Sequence, residues 1–156
     1  MGEWGASYDC VSKSNGIATA IGYKDGISST NTLTSDGHTH DAATAAASNN
    51  GTAAPTGTSG WFLPSMGQWN LIVQGLASKK AGSAVTTDIT TSENSTYAYS
   101  NLNSVITAAG GTGFNGDYHS STLYDSDWCW HMNISEGRAC GYAFYAGDLV
   151  RSVLAF

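Results

Sequence analysis

The sequence predicts an α+β domain, with two main helices packed on short twisted antiparallel strands and much irregular loop between them. Three features predict it. Apolar residues recur at helical spacing after Ser65 and again after Asn101. Beyond Gly116 the period changes from about 3.6 to 2, the signature of strands. Gly, Ser, Thr, Asn and Ala dominate a chain with only 12% charged residues, so much of the surface is small, neutral and looped. With 156 residues, of which 41% are hydrophobic, the chain can enclose one core but not two, and residues 1–156 are read as a single domain.

Taken in order, the N-terminal apolar pieces, of which residues 17–23 are the clearest, predict one or two short strands, followed by a long polar loop over 28–40. Residues 41–48 carry the alanine content of a short helix, with Asp41 available as N-cap and Asn49, Asn50 and Gly51 to stop it. Residues 52–60 read as loop. Directly after Pro64, Ser65 and Gln68 make an S-x-x-Q capping box, and Trp69, Ile72, Val73 and Leu76 form one apolar stripe. Lys79 and Lys80 suit the negative end of that helix, and Gly82 can close it. The Thr-rich run 83–99 is expected to be extended or looped. A second helix is predicted over 101–109, where Leu102, Val105, Ile106 and Ala109 share a face ahead of Gly110 and Gly111.

The C-terminal region alternates. Trp128, Trp130, Met132 and Ile134 are expected on a core face, and Asp127, Cys129, His131 and Asn133 on the other. A turn at 135–137 leads to a return strand with Arg138, Cys140, Tyr142 and Phe144 on one side and Ala139, Gly141 and Ala143 on the other. A loop over 145–148 precedes a last strand over 149–156. Trp61, Trp69, Trp128 and Trp130 are expected to fill the core.

Composition excludes several functions. A net charge of −6 with only six Lys and Arg disfavours nucleic acid and anionic membranes, because phosphate binding needs clustered cations. No apolar run approaches membrane-spanning length, so no direct membrane insertion is expected. Met1 to Trp4 carry no basic-then-apolar signal pattern; a protein exported by that route would have its signal removed or upstream. Three cysteines, Cys10, Cys129 and Cys140, allow at most one disulfide, and Cys129 and Cys140 could face each other across a hairpin. Cys129 and His131 have a C-x-H spacing, but two ligands do not make a zinc site and Cys140 would still need a fourth partner; His38 and His40 in their polar loop are weighed the same way. No metal and no cofactor is therefore expected. No Ser-His-Asp order, paired-carboxylate motif or phosphate loop stands out, and no enzyme is predicted. Arg151 reads as a structural cation paired with a carboxylate or backbone carbonyls.

Three blocks carry a resemblance: Gly60-Trp61-Phe62-Leu63-Pro64-Ser65 leading into the capped helix, Tyr118-His119-Ser120-Ser121-Thr122, and Val150-Arg151-Ser152-Val153-Leu154-Ala155-Phe156. Together they resemble the C-type-lectin-fold domains related to the formylglycine-generating enzyme, found in bacterial surface proteins and in the variable proteins of diversity-generating retroelements. The resemblance spans roughly residues 25–156, with His119 standing where the family commonly has Trp.

The resemblance implies a C-type lectin fold and a ligand-binding, receptor-recognition or adhesion role, with residues 117–156 as the variable region. In such proteins mutagenesis turns mainly Asn codons into many alternatives, a set that includes Tyr, Asp, His, Cys, Arg, Leu, Phe, Gly and Ala but not Trp. Leu123, Tyr124, Asp125, Asp127, Cys129, His131, Arg138, Cys140, Tyr142, Phe144, Tyr145 and Asp148 all belong to that set and form the expected ligand-binding residues. Aromatic and Arg side chains among them suit a paratope-like surface. The implied partner is a protein or glycan on a cell surface, engaged by multivalent display or a homo-oligomer, from an extracellular position on a bacterium or phage virion. No Glu-Pro-Asn or Trp-Asn-Asp pattern marks a calcium-dependent sugar site, and the cysteines lie at positions expected to vary rather than in an oxidase context. The alternative is a non-variable structural or adhesion domain of a bacterial surface protein.

Overall fold

The computed structural model describes residues 16–78, 102–125, 128–134, 138–143 and 147–156. Along them run α1 (Ile17–Ala20), α2 (Gly26–Ser35), α3 (Asp41–Ser48) with a 3-10 turn at Asn49–Gly51, α4 (Met66–Ser78), α5 (Leu102–Ala108), β1 (Asp117–Leu123), β2 (Trp128–Asn133) and β3 (Arg138–Ala143). The expected α+β class is observed. Lys79, Lys80, Gly82, the run 83–99 and the turn 135–137 lie outside the described residues.

Helix α4 starts where the capping box places it. Gln68 Oε1 accepts from the Ser65 amide at 3.0 Å, and Ser65 Oγ donates to the Tyr23 carbonyl at 2.7 Å. The same Gln68 oxygen also accepts from the amide of Gly26, the first residue of α2, at 3.0 Å. The Gly67 amide donates to the Tyr23 carbonyl at 2.8 Å. One box thus caps α4 and ties it to the start of α2. The approach requires glycine: a Cβ at Gly67 would collide with the carbonyl oxygens of Tyr23 and Ile21.

The N-terminal third departs from expectation, since helices α1 and α2 stand where a strand and a long loop are predicted. In α2 the buried residues Gly26, Ser29, Thr30 and Leu33 follow helical spacing, but three of them are small or polar and show no apolar stripe. Hydroxyls suit the helix by bonding back one turn, as Thr32 Oγ1 does to the Ser28 carbonyl and Thr34 Oγ1 to that of Thr30, both at 2.9 Å. Asp25 caps it, accepting from the Ser28 amide at 2.9 Å.

Helix α3 matches its predicted span and buries Ala42, Ala43 and Ala46; His40, not Asp41, takes the N-cap position. It stops at two left-handed asparagines, Asn49 (φ 40°) and Asn50 (φ 52°).

The three strands form an antiparallel sheet in the order β1-β2-β3. Register pairs Tyr118 with Met132 and His119 with His131, slips between His119 and Leu123, and then pairs Leu123 with Cys129. Across the other side, Cys129 faces Tyr142, Trp130 faces Gly141 and His131 faces Cys140. Residues 149–156 form no continuous strand. They touch the fold at two bridges, Tyr118 with Leu149 (parallel) and Phe62 with Val153 (antiparallel). The chain there alternates between two partners, one at each end, so no ladder propagates.

Trp69 from α4 is the centre of the core. It is fully buried, donates Nε1–H to the His119 carbonyl at 3.1 Å and packs near Phe114 and Tyr118 at 5.7 and 5.8 Å. Trp130, Met132 and Ile134 join it, as expected. Trp61 and Trp128 do not: Trp61 donates Nε1–H to the Thr52 carbonyl at 2.8 Å in a partly exposed setting, and Trp128 is 45% exposed. Trp128 opens β2 opposite Ala143, the last residue of β3, at the end of the sheet. Arg151 acts structurally, as expected: its guanidinium lies 4.7 Å from the Phe114 ring centroid and donates to the Thr112 carbonyl at 3.0 Å.

Two measurements check this frame. In urea unfolding, Gly67→Ala should lose about 2 kcal/mol or more through the backbone collision, whereas Gly75→Ala, exposed in the same helix with nothing near its Cβ, should gain about 0.5–1 kcal/mol. The Asp25 carboxyl is held below its usual range, first by the backbone hydrogen bond from Ser28. A depressed carboxyl stabilises the fold above the ordinary Asp value of about 3.9, and the contribution fades as pH falls through the folded value. Asp25→Ala should therefore be less stable than the parent at neutral pH, with the gap closing in acid.

Candidate binding face

The residues expected to meet a ligand, Arg138 apart, separate into three groups. Asp127, Phe144 and Tyr145 lie outside the described residues. Tyr142 is 43% exposed, and Leu123, Tyr124, Asp125, Cys140 and Asp148 are partly exposed. Cys129 and His131 are fully buried. Arg138 opens β3 opposite Asn133. The alternation expected for β2, with one face buried and one open, is therefore corrected. From Cys129 to Asn133 every residue is buried, because the strand lies between two others and is covered on both faces.

What remains open is the end of the sheet. Trp128 and Tyr142 are both exposed there, with ring centroids 6.5 Å apart, and Tyr124 lies 6.4 Å from Trp128. Tyr124 also reaches inward, edge-on to buried Trp130 at 4.9 Å. Its ring crosses Gly141, where a Cβ would come within 2.8 Å of it, so glycine is needed for the tyrosine to lie there. The amides of Tyr124 and Asp125 both donate to the Trp128 carbonyl, at 2.8 and 3.1 Å, which fixes the approach of β1 to β2 below the aromatic cluster. The result is a contact surface of rigid rings anchored in the core, which suits recognition because little side-chain freedom is lost on contact.

Beside this surface, three polar side chains converge that the sequence does not bring together. His119 and His131 are opposed in register with ring centroids 4.5 Å apart. Asp148, from the segment after β3, sets Oδ2 2.5 Å from His131 Nδ1. The Asp148 carboxyl is held below its usual range, first by this contact with His131; burial opposes the shift, and the charges of His131 and His119 add to it. Tyr142 lies against the same group, its ring 5.8 Å from that of His131. The C-x-H spacing of Cys129 and His131 does not point to this group, and the bridge between Cys129 and Cys140 that a hairpin could allow is not formed: Cys129 is disulfide-bonded, whereas Cys140 is a partly buried thiol. His40 instead meets Asp36 at 2.8 Å, away from this cluster.

An open cleft of about 610 Å³ lies on another side, lined by Trp61, Asn50, Asn115, Tyr118 and Arg151 among others. Its two strongest donors, Arg151 and Trp61, are already engaged with backbone carbonyls. The sheet end is therefore the better candidate for recognition. Among the described residues no helix is long and apolar enough to cross a membrane. Comparison of the chain with protein-family models, curated proteins and solved structures found no match.

Trp128 is the exposed residue that sequence reasoning assigned to the core; its position as the first residue of the strand, where pairing and packing end, is the signal that it need not be buried. Alkylation of the folded, unreduced protein should label Cys140 and leave Cys129 unmodified until a reductant is added, as read by peptide mass mapping; labelling of Cys129 without reduction would contradict this arrangement.

Proposed function

We propose that the chain is a ligand-binding domain of the C-type-lectin type whose sheet end displays a diversified surface, as the variable protein of a diversity-generating retroelement. On this reading it acts outside the cell, on a bacterial surface or phage virion, and recognises a protein or glycan without catalysing a reaction. The observation that carries the reading is the exposed Trp128–Tyr142 pair at the end of the sheet, where β2 is buried from Cys129 to Asn133. Large apolar rings left in water at the end of a rigid sheet are what a recognition surface needs.

The residue types divide in a way that fits. Tyr142, Tyr124, Asp125 and Asp148 are reachable from Asn codons, whereas Trp128 is not, so Trp128 serves as a fixed anchor beside changeable neighbours. Cys129 and His131, buried in β2, support the surface rather than touch a partner. Binding through a few rings is modest for one copy and gains from repetition on a multivalent particle.

A second reading, a non-variable structural or adhesion domain of a surface protein, draws on the burial of Cys129 and His131. Exchange of either would strike the interior and not the surface. Sibling copies of the locus separate the two. The diversified reading expects codon 142 to differ among copies while 128 and 130 remain Trp, with a reverse transcriptase nearby and an adenine-rich near-repeat of the region coding for 117–156. Identical codons at 142 and no such repeat would leave the second reading. In a screen against cell-surface proteins and glycans, Tyr142→Ala should weaken binding to any hit by about tenfold or more, given the ~2 kcal/mol that a central aromatic contact carries, with urea stability nearly unchanged.

A further inference from the structure

We propose that His119, His131 and Asp148 form a site for a divalent transition metal ion of the zinc class. The inference goes beyond the binding role and does not depend on whether the surface varies. One potential donor atom from each of the three residues lies within 4.8 Å of those of the other two. They come from three separate parts of the fold: β1, β2 and the segment that follows β3. Backbone bonds hold these parts together around the cluster. The His119 amide donates to the Leu149 carbonyl, and the Leu149 amide to that of Asp117, both at 3.0 Å. His119 and His131 are direct partners across the β1–β2 pair. The donors are thus carried on a rigid frame, with Asp148 next to a pinned residue.

The chemistry of the set favours a metal over a simple ion pair. His131 Nδ1 and Asp148 Oδ2 lie 2.5 Å apart, yet both are buried without a well-formed hydrogen bond, so the pair is set close without being satisfied. Nearby, Asp117, on the same face of β1 as His119, buries a carboxylate oxygen that also has no partner. Two imidazoles packed together in the interior can both bind one cation through ring nitrogens. Two imidazole nitrogens and one carboxylate oxygen are a donor set for zinc, cobalt, nickel or iron in the divalent state, and they lack the thiolate that softer ions prefer. Bonds of roughly 2.0–2.2 Å set neighbouring ligand atoms roughly 3.3 Å apart around a tetrahedral ion. Small side-chain rotations would open the His131–Asp148 contact and draw the third donor in. Three protein ligands leave a fourth position for water. Asp148 keeps 18% of its side chain in solvent, which provides a route of entry.

The test uses the full chain, stripped with a chelator and titrated with zinc chloride by calorimetry, with cobalt chloride absorption as a second readout. One zinc per chain with micromolar or tighter affinity is expected, together with a rise in melting temperature. Asp148→Asn keeps the shape of the side chain; it should weaken zinc binding at least about tenfold, because even outer-shell partners of metal ligands are worth that much. His119→Gln should do the same and also alter the cobalt spectrum. His38→Gln, in the exposed loop between α2 and α3, and Cys140→Ser should bind as the parent does. Absence of zinc binding at micromolar concentration would overturn the proposal, as would parent-like affinity in both Asp148→Asn and His119→Gln, or loss of the site in Cys140→Ser.

Discussion

Between Phe62 and Gly67 six backbone groups are bonded to distant parts of the chain, and the rest of the structure depends on that junction. Phe62 exchanges both hydrogen bonds with Val153 at 2.9 and 3.0 Å. The Leu63 amide donates to Thr30 Oγ1 in α2 at 2.9 Å, the Pro64 carbonyl accepts from Ser121 at 2.9 Å, and the Met66 amide donates to Thr122 Oγ1 at 3.0 Å. Ser65 and Gly67 bond to Tyr23. A buried stretch without regular secondary structure is tolerable only if its polar groups are matched one by one, and here the matches double as the joints between the N-terminal helices, the sheet and the C-terminal segment. Trp69, one turn into α4, then carries the same junction into the core through its bond to the His119 carbonyl.

The features most legible in the sequence are those specified by local chemistry. The capping box at Ser65 and Gln68, the alanine helix ending at Asn49 and Asn50, and the α5 stop at Gly110 each rest on residues within one turn of each other. Helix α2 was hidden because Ser and Thr fill its buried face. Its burial is permitted by Ser29 Oγ donating back to the Asp25 carbonyl and by Thr30 Oγ1 meeting Leu63, a partner 33 residues away. The strands of the C-terminal hairpin are visible in their period, but their burial is not. A period of 2 says which residues share a face and is silent on whether a second layer covers the other face, so Cys129 and His131 read as open and are buried. The His119–His131–Asp148 group is illegible for a related reason. It depends on strand register across a bulge and on a segment returning beside β1, and both are non-local.

The sheet end and the histidine group belong to one construction. Tyr142 reaches the surface while its ring contacts buried His131, and Tyr124 joins Trp128 outside to Trp130 inside. Exposed rings are therefore held by contacts to groups that solvent does not reach, which stiffens this end of the sheet. A metal at His119, His131 and Asp148 would extend the same economy, tying Asp148 to the two strands beside it.

Native-state hydrogen exchange tests most directly whether the junction, and not the hairpin, holds the framework. The amides of Phe62, Leu63, Met66 and Gly67 should exchange only through global unfolding, and Tyr142→Ala should leave their protection unchanged. If those amides instead open together with the β2–β3 end, at a free energy below that of global unfolding, the junction is not what supports the surface and the account fails.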